Sequence, residues 1–208
     1  MTDRWIATGL AQDLPNGTVM AALWQGVELA VWRSATGRLS AWKDRCPHRG
    51  MRLSHGFVRG ETLACIYHGW VYGSTGQCQH IPAHPALTPP ATIRATAYLC
   101  REAGGVLWLA AEDTAEPPPA LGPLHPLRTI TLNCPTDRIR AAEPALSGDQ
   151  ILRGKVLIAG RMQELCLLIQ PHPGATRLHA LCDAGADKIA VSRWLEDLRC
   201  RAEQGDAA

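Results

Sequence analysis

Apolar and polar residues alternate with a period near two over much of the first half of the chain. Val19 to Trp24 and Val27 to Arg33 flank Gln25-Gly26, a two-residue hairpin signal, and Ala35-Thr36-Gly37 returns the chain into Leu39 to Trp42. Further strands are expected at Val71-Tyr72, before a turn over Gly73 to Gly76, and at Thr92 to Arg101 and Val106 to Ala111, joined by Gly104-Gly105. Short strands divided by glycine turns, from Trp5 to about Glu112, predict a small antiparallel β-sandwich. In the second half, Lys155 to Ala159, Leu165 to Gln170 and Thr176 to Cys182 repeat the strand pattern, with His172-Pro173-Gly174 turning between the last two. The period then changes. After Asp187, residues Val191, Trp194, Leu195 and Leu198 fall at i, i+3, i+4 and i+7, which predicts a helix with one apolar stripe ending near Gly205.

Proline separates the two patterns. Glu116-Pro117-Pro118-Pro119, followed by Pro123 and Pro126, favours extended, semi-rigid backbone. The expected organisation is a β domain over residues 1–115, a proline-rich linker over 116–126 and a small α+β segment over 127–208, mainly β overall.

Composition narrows the setting. With 208 residues and 46% hydrophobic content the chain can bury one good core and a second, smaller one. A net charge of +2 points to neither nucleic acid nor an anionic membrane surface. MTDRWIATGL lacks the apolar core of a signal sequence, and no later run has the length of a membrane-spanning helix, so a cytoplasmic protein is expected. Of eight cysteines, Cys78, Cys100, Cys134, Cys166, Cys182 and Cys200 are widely scattered, the pattern of reduced, mostly buried thiols.

Chemistry concentrates between Arg45 and Trp70, RCPHRGMRLSHGFVRGETLACIYHGW. Cys46 and His48 share one short loop; Cys65 and His68 share another. A thiolate and an imidazole one or two residues apart reach a common ion only from a turn, so loops must carry the site. A single Cys2His2 zinc site satisfies the ligand count, although zinc sites usually pair like with like. Mixed pairs suit a cluster in which one iron takes two thiolates and the other two imidazoles, each loop giving one ligand to each iron. Gly50 and Gly69 follow the ligands where backbone needs positive φ or close approach. Lys43, Arg45, Arg49, Arg52 and Arg59 form a basic rim, readable as steering for an acidic partner or as an ordinary solvated face. His55, His80 and His84 fall outside the spacing and read as surface histidines.

With CPHRG at 46–50, YHGW at 67–70 and continued agreement at Leu53, Gly56, Gly60, Gly76, Ile81, Pro82 and Ala83, the chain resembles the Rieske family. That resemblance implies one 2Fe-2S cluster held by Cys46, His48, Cys65 and His68. Respiratory members carry an extra disulfide-forming Cys in each loop and a Ser after the second glycine; here Met51, Tyr67 and Trp70 stand at those positions. Fewer hydrogen-bond donors to sulfur mean a lower reduction potential, which points to the ring-hydroxylating oxygenases and to O-demethylases like vanillate demethylase. The same resemblance implies that Tyr67 and Trp70 shield the cluster from water, and that a reductase or ferredoxin supplies electrons. A separate oxygenase subunit, or a homo-oligomer, is compatible with it.

A family oxygenase also carries a mononuclear iron on two His and a carboxylate in a domain of roughly twice the length left here. No His lies between Leu127 and Gln170, and the closing strands and helix resemble only the end of that helix-grip domain, so mononuclear Fe(II) is not expected. His172, His179 and Asp183 supply the right ligand types, but six residues and a Pro-Gly turn separate the histidines. Two functions remain open: relay of single electrons from a reductase toward an oxygenase iron, or a short but complete non-heme iron monooxygenase that hydroxylates or demethylates a small aromatic substrate.

Overall fold

A computed structural model of the chain describes residues 5–110 and 116–204. Strands β1 (Ile6–Leu10), β2 (Thr18–Trp24), β3 (Val27–Arg33) and β4 (Leu39–Lys43) come first. They are followed by β5 (Phe57–Arg59), β6 (Thr62–Ala64), β7 (Val71–Gly73) and β8 (Cys78–His80), then β9 (Ala97–Ala103) and β10 (Val106–Ala110). The chain continues through β11 (His125–Leu132), helix α1 (Thr136–Ala142), β12 (Ile151–Ile158), β13 (Arg161–His172) and β14 (Ala175–Cys182) to helix α2 (Lys188–Gln204). Two compact units result: residues up to Glu102 with Leu107–Pro118, and Ala103–Val106 with residues from Pro119 onward.

The first unit holds a six-stranded sheet, β1-β10-β9-β4-β3-β2, and a small one, β5-β6-β7-β8. β2 and β3 pair antiparallel from Thr18↔Arg33 to Trp24↔Val27 across the Gln25-Gly26 turn. β3 has apolar contacts on both faces. Leu29 and Val31 pack with Trp24, Leu107 and Leu109. Ala30 and Trp32 face a second cluster that contains Trp42, Tyr72 and both candidate thiols, Cys46 and Cys65. Burial on both sides explains why strict alternation fails along Leu29-Ala30-Val31-Trp32. Trp32, Trp42 and Tyr72 meet edge to face, with centroids 5.0 and 6.2 Å apart, and this chain of aromatics supports the ligand loops from beneath.

The second unit is an antiparallel sheet, β11-β14-β13-β12, with α2 on one face. Val191, Leu195, Leu198 and Ala202 are the buried positions of α2, whereas Trp194 is only partly covered. Asp187 caps the helix, its Oδ1 accepting from the backbone N–H groups of Ile189 and Ala190.

The structure departs from the sequence reading in several elements. The strand expected from Thr92 begins at Ala97, because the preceding residues bond elsewhere: Cys78 N–H donates to Ile93 O, Ala95 N–H to Gly76 O and Lys43 N–H to Thr96 O. β13 runs through His172, so that residue ends a strand and the turn is Pro173-Gly174. β11 starts at His125, inside the proline-rich segment; as an edge strand it tolerates Pro126, beside which its register shifts. α1 was not expected from sequence, since seven residues with a single buried side chain, Ile139, display no periodicity. The predicted strand end at Ala111, the domain end at residue 115 and the helix end near Gly205 lie outside the described residues.

Candidate metal centre

Two loops of matching construction carry the motif residues. In the first, between β4 and β5, Cys46 N–H donates to Met51 O at 2.7 Å and Gly50 N–H to Cys46 O at 2.8 Å. In the second, between β6 and β7, Cys65 N–H donates to Trp70 O at 2.9 Å and Gly69 N–H to Cys65 O at 3.0 Å. Gly50 and Gly69, each four residues after its cysteine, have φ of +73° and +67°, a region closed to most side chains. Pro82 also approaches Gly69 so closely that a Cβ there would lie 3.1 Å from its ring.

Asp44 closes the first loop. Its carboxylate is fully buried and accepts from Ser54 N–H at 2.7 Å and Ser54 Oγ–H at 2.6 Å, tying the two ends of the loop together. Glu28 reinforces the clamp by pairing with Arg52 and, at 3.7 Å, with Arg45.

The four candidate ligands sort into two pairs. Cys46 and Cys65 are 4% and 3% exposed and near enough to hydrogen-bond. His48 and His68 lie nearer the surface with ring centroids 4.6 Å apart. Burial pushes the Cys65 thiol up, and Cys46 pushes the same way, while the backbone N–H groups of Tyr67 and His68 pull it down. A thiol pushed up in this way stays protonated by itself and becomes a thiolate ligand when a cation offsets its charge. Burial, His68 and Arg49 all lower the His48 pKa, favouring the neutral imidazole that binds metal. Thiols inside and imidazoles outside match the donor chemistry of a 2Fe-2S cluster with two unlike irons.

The surroundings differ in part from expectation. Trp70 stacks on His48, centroids 4.1 Å apart and planes within 6°, as a shielding group should. Tyr67 is 61% exposed, and its ring lies against that of His68 with centroids 3.9 Å apart. The hydrogen-bond donor missing from the Trp70 position has a counterpart that sequence reasoning overlooked. Tyr72 Oη lies 3.0 Å from Cys46 Sγ and, with sulfur as thiolate, donates to it. Burial, the Cys46 contact and nearby thiols all push the phenol up, so it stays protonated as a donor. Tyr72→Phe is expected to lower the reduction potential by roughly 50–100 mV, the one-electron equivalent of roughly 1–2 kcal/mol, in a redox titration.

His55, His80 and His84 are exposed, as expected. His172, His179 and Asp183 do not converge. On paired strands His172 faces Ala175, four residues before His179, which separates the histidines by roughly 13 Å. His172 instead lines a cavity of about 310 Å3 with Cys134, Thr136 and Thr176. His179 is 1% exposed, with Nδ1 2.8 Å from Thr129 Oγ1 and Nε2 3.2 Å from Gln170 Oε1, so both ring nitrogens are engaged. Asp183 Oδ2 accepts from Glu164 N–H. Among the described residues, no three His, Cys, Asp or Glu side chains gather as they would around one ion. No described helix is long and apolar enough to cross a membrane.

Comparison with known proteins agrees with this geometry. The family model described as "Rieske [2Fe-2S] domain" matches residues 4–98. Oxidoreductase NdmD of Pseudomonas putida is 42% identical over 107 residues, 51% of this chain and 18% of that protein. The 4beta-methylsterol monooxygenase of Methylococcus capsulatus is 37% identical over 130 residues, 61% of this chain and 33% of that protein. The matches thus span a third or less of these relatives' own length. Among solved structures, Pseudomonas putida CBB5 NdmA superposes with a TM-score of 0.72 over 97% of this chain and 80% of its own, at 18% identity. Dicamba monooxygenase with non-heme iron and dicamba gives 0.72 over 89% and 78%, also at 18%. At these identities the likeness is one of fold.

Proposed function

Since residues 4–98 of this chain are a Rieske 2Fe-2S domain, we propose that the protein relays single electrons from a reductase or ferredoxin toward an oxygenase iron, with Cys46, His48, Cys65 and His68 as the cluster ligands. One observation carries the reading: the thiols are sunk in the aromatic core while the two imidazoles stand at the surface. A bound 2Fe-2S cluster supplies reversible one-electron transfer and no bond chemistry of its own. The chain supplies the rest. Cys46 and Cys65 anchor the inner side, Tyr72 and the Tyr67 and His68 amides donate to sulfur, and Trp70 holds the His48 ring in one orientation. His48 and His68 form the edge at which a donor or acceptor arrives. The oxidoreductase name of a 42% identical relative supports this reading.

The second reading, a short but complete monooxygenase, is favoured by the monooxygenase names of a relative and of a structural neighbour. It requires a third iron, for which the separated His172, His179 and Asp183 offer no shared site. Iron, acid-labile sulfide and zinc should be assayed on anaerobically purified protein. Two irons and two sulfides per chain are expected. A third iron that disappears in His172→Ala or His179→Ala would replace the relay reading with the oxygenase one; zinc without sulfide would remove both.

A further inference from the structure

One hollow in the first unit contains none of the four candidate ligands. It measures about 350 Å3 and is lined by residues 17–19 and 54–59. β2 and β5 are each the last strand of their sheets, and their free edges both border this hollow. β2 closes on β3 across a two-residue turn at Trp24↔Val27, so alternation along the ladder turns the N–H and C=O of Val19 away from β3. β5 closes on β6 in the same way at Arg59↔Thr62, which turns those of Val58 away from β6. Among the described residues, no group bonds to the outward N–H of either valine. The hydroxyls at the rim are already engaged: Thr18 Oγ1–H donates to Pro15 O and Ser54 Oγ–H to Asp44. Cα atoms of the two strands come within 8 Å of each other. A third strand inserted between them would need about 9.5 Å between its neighbours, whereas one oxygen accepting an N–H from each edge needs about 5.8 Å between the nitrogens. The gap admits a small acceptor group and excludes a peptide strand.

Three side chains give the hollow its chemical character. Phe57, the single phenylalanine of the chain, leaves its ring 50% exposed here. Arg59 stands on the same face of β5, its guanidinium 6.0 Å from the Phe57 ring centroid, and His55 adds an imidazole to the lining. The nearby carboxylates are engaged elsewhere: Asp44 with Ser54, Glu61 with Thr36 and Glu28 with Arg52. An open aromatic face, a cation beside it and unpaired amides in the same hollow match a flat ring that carries an oxyanion. We infer that this hollow binds a small planar aromatic carboxylate, with its ring on Phe57 and its carboxylate between Arg59 and the edge N–H groups of Val19 and Val58. The inference does not depend on the relay reading. Ser54 ties the first ligand loop to Asp44, and both valines pack against the buried cluster around Cys46 and Cys65, so an occupant touches residues that support the redox group.

Isothermal titration of the cluster-loaded full chain with benzoate tests this. One benzoate per chain is expected, with a dissociation constant of about 1 mM or below. Arg59→Ala should weaken binding about tenfold or more and Phe57→Ala several-fold, whereas Arg193→Ala on α2 should leave it within about twofold of the parent. Phe57 and Arg59 are both exposed, and an unchanged visible spectrum shows that each variant keeps its fold and cluster. Cyclohexanecarboxylate and inorganic phosphate, which lack a planar ring, should bind several-fold more weakly than benzoate. Absence of saturable binding up to about 10 mM benzoate, or binding indifferent to both Arg59→Ala and Phe57→Ala, overturns the inference. Phosphate binding as tight as that of benzoate and unmoved by Phe57→Ala overturns the aromatic class of the ligand.

Discussion

Lowering the pH from 7 to about 3.5 is expected to remove on the order of 4 kcal/mol of stability through one side chain, His179. Burial, aided by Arg177, brings its pKa from 6.5 down to about 3. Above pH 6.5 the imidazole is neutral in both folded and unfolded chains, and the full stability is present. Between 6.5 and about 3 the unfolded chain takes up a proton that the folded chain refuses, so stability falls with pH across that window and levels off below it. The folded chain refuses because the ring is buried in the sheet beside Arg177, with Thr129 and Gln170 as the partners of its two nitrogens. Urea denaturation at a series of pH values should therefore give a steeper acid loss for the parent than for His179→Gln, which cannot be protonated. Equal slopes for the two proteins would show that His179 is not the group responsible.

Cys46→Ala and Cys65→Ala are each expected to abolish the visible spectrum and the acid-labile sulfide together. Each removes one of the two adjacent buried sulfurs that the ligand loops bring together. Cys78→Ala is the informative control. Cys78 lies in the same buried cluster, pairs across the sheet with Tyr72, and has its thiol pushed up by burial, yet it stands outside both ligand loops. It should keep the cluster. A spectrum that survives Cys46→Ala but not Cys78→Ala would reassign the inner ligand. His48→Cys and His68→Cys should lower the potential or lose the cluster, because a third thiolate adds negative charge that disfavours the reduced state.

What the sequence made legible was local. Ligand spacing, the two glycines with positive φ, the Gln25-Gly26 hairpin and the helix opening after Asp187 each depend on a few neighbouring residues. Signals that depend on tertiary register were missed. Tyr72 stood out only as a strand residue, since nothing within β7 says that its hydroxyl ends beside Cys46, twenty-six residues earlier. The Asp44–Ser54 clamp joins residues ten apart across an irregular loop and has no periodic signature. That Tyr67 lies against the His68 ring while remaining largely exposed is set by the loop's geometry and has no sequence signal. In the second unit, Arg153, Gly154 and Glu164 interrupt the apolar alternation, so β12 and β13 looked shorter than the continuous pairing from Ile151↔Leu168 to Ile158↔Arg161.

The buried cluster around Cys46 and Cys65 has a property that matters during synthesis. Every side chain in it, from Val19 and Ala30 to Ile93 and Ala95, precedes β9. Its two ligand loops are joined by the short β5–β6 hairpin, so little chain entropy is lost in bringing them together. A nascent chain therefore presents all the packing partners of the ligand thiols before the first residue of β11 has been added. A ribosome-bound fragment ending near Ala95 already carries the complete candidate ligand set, although β9 and β10 of the six-stranded sheet are still to come.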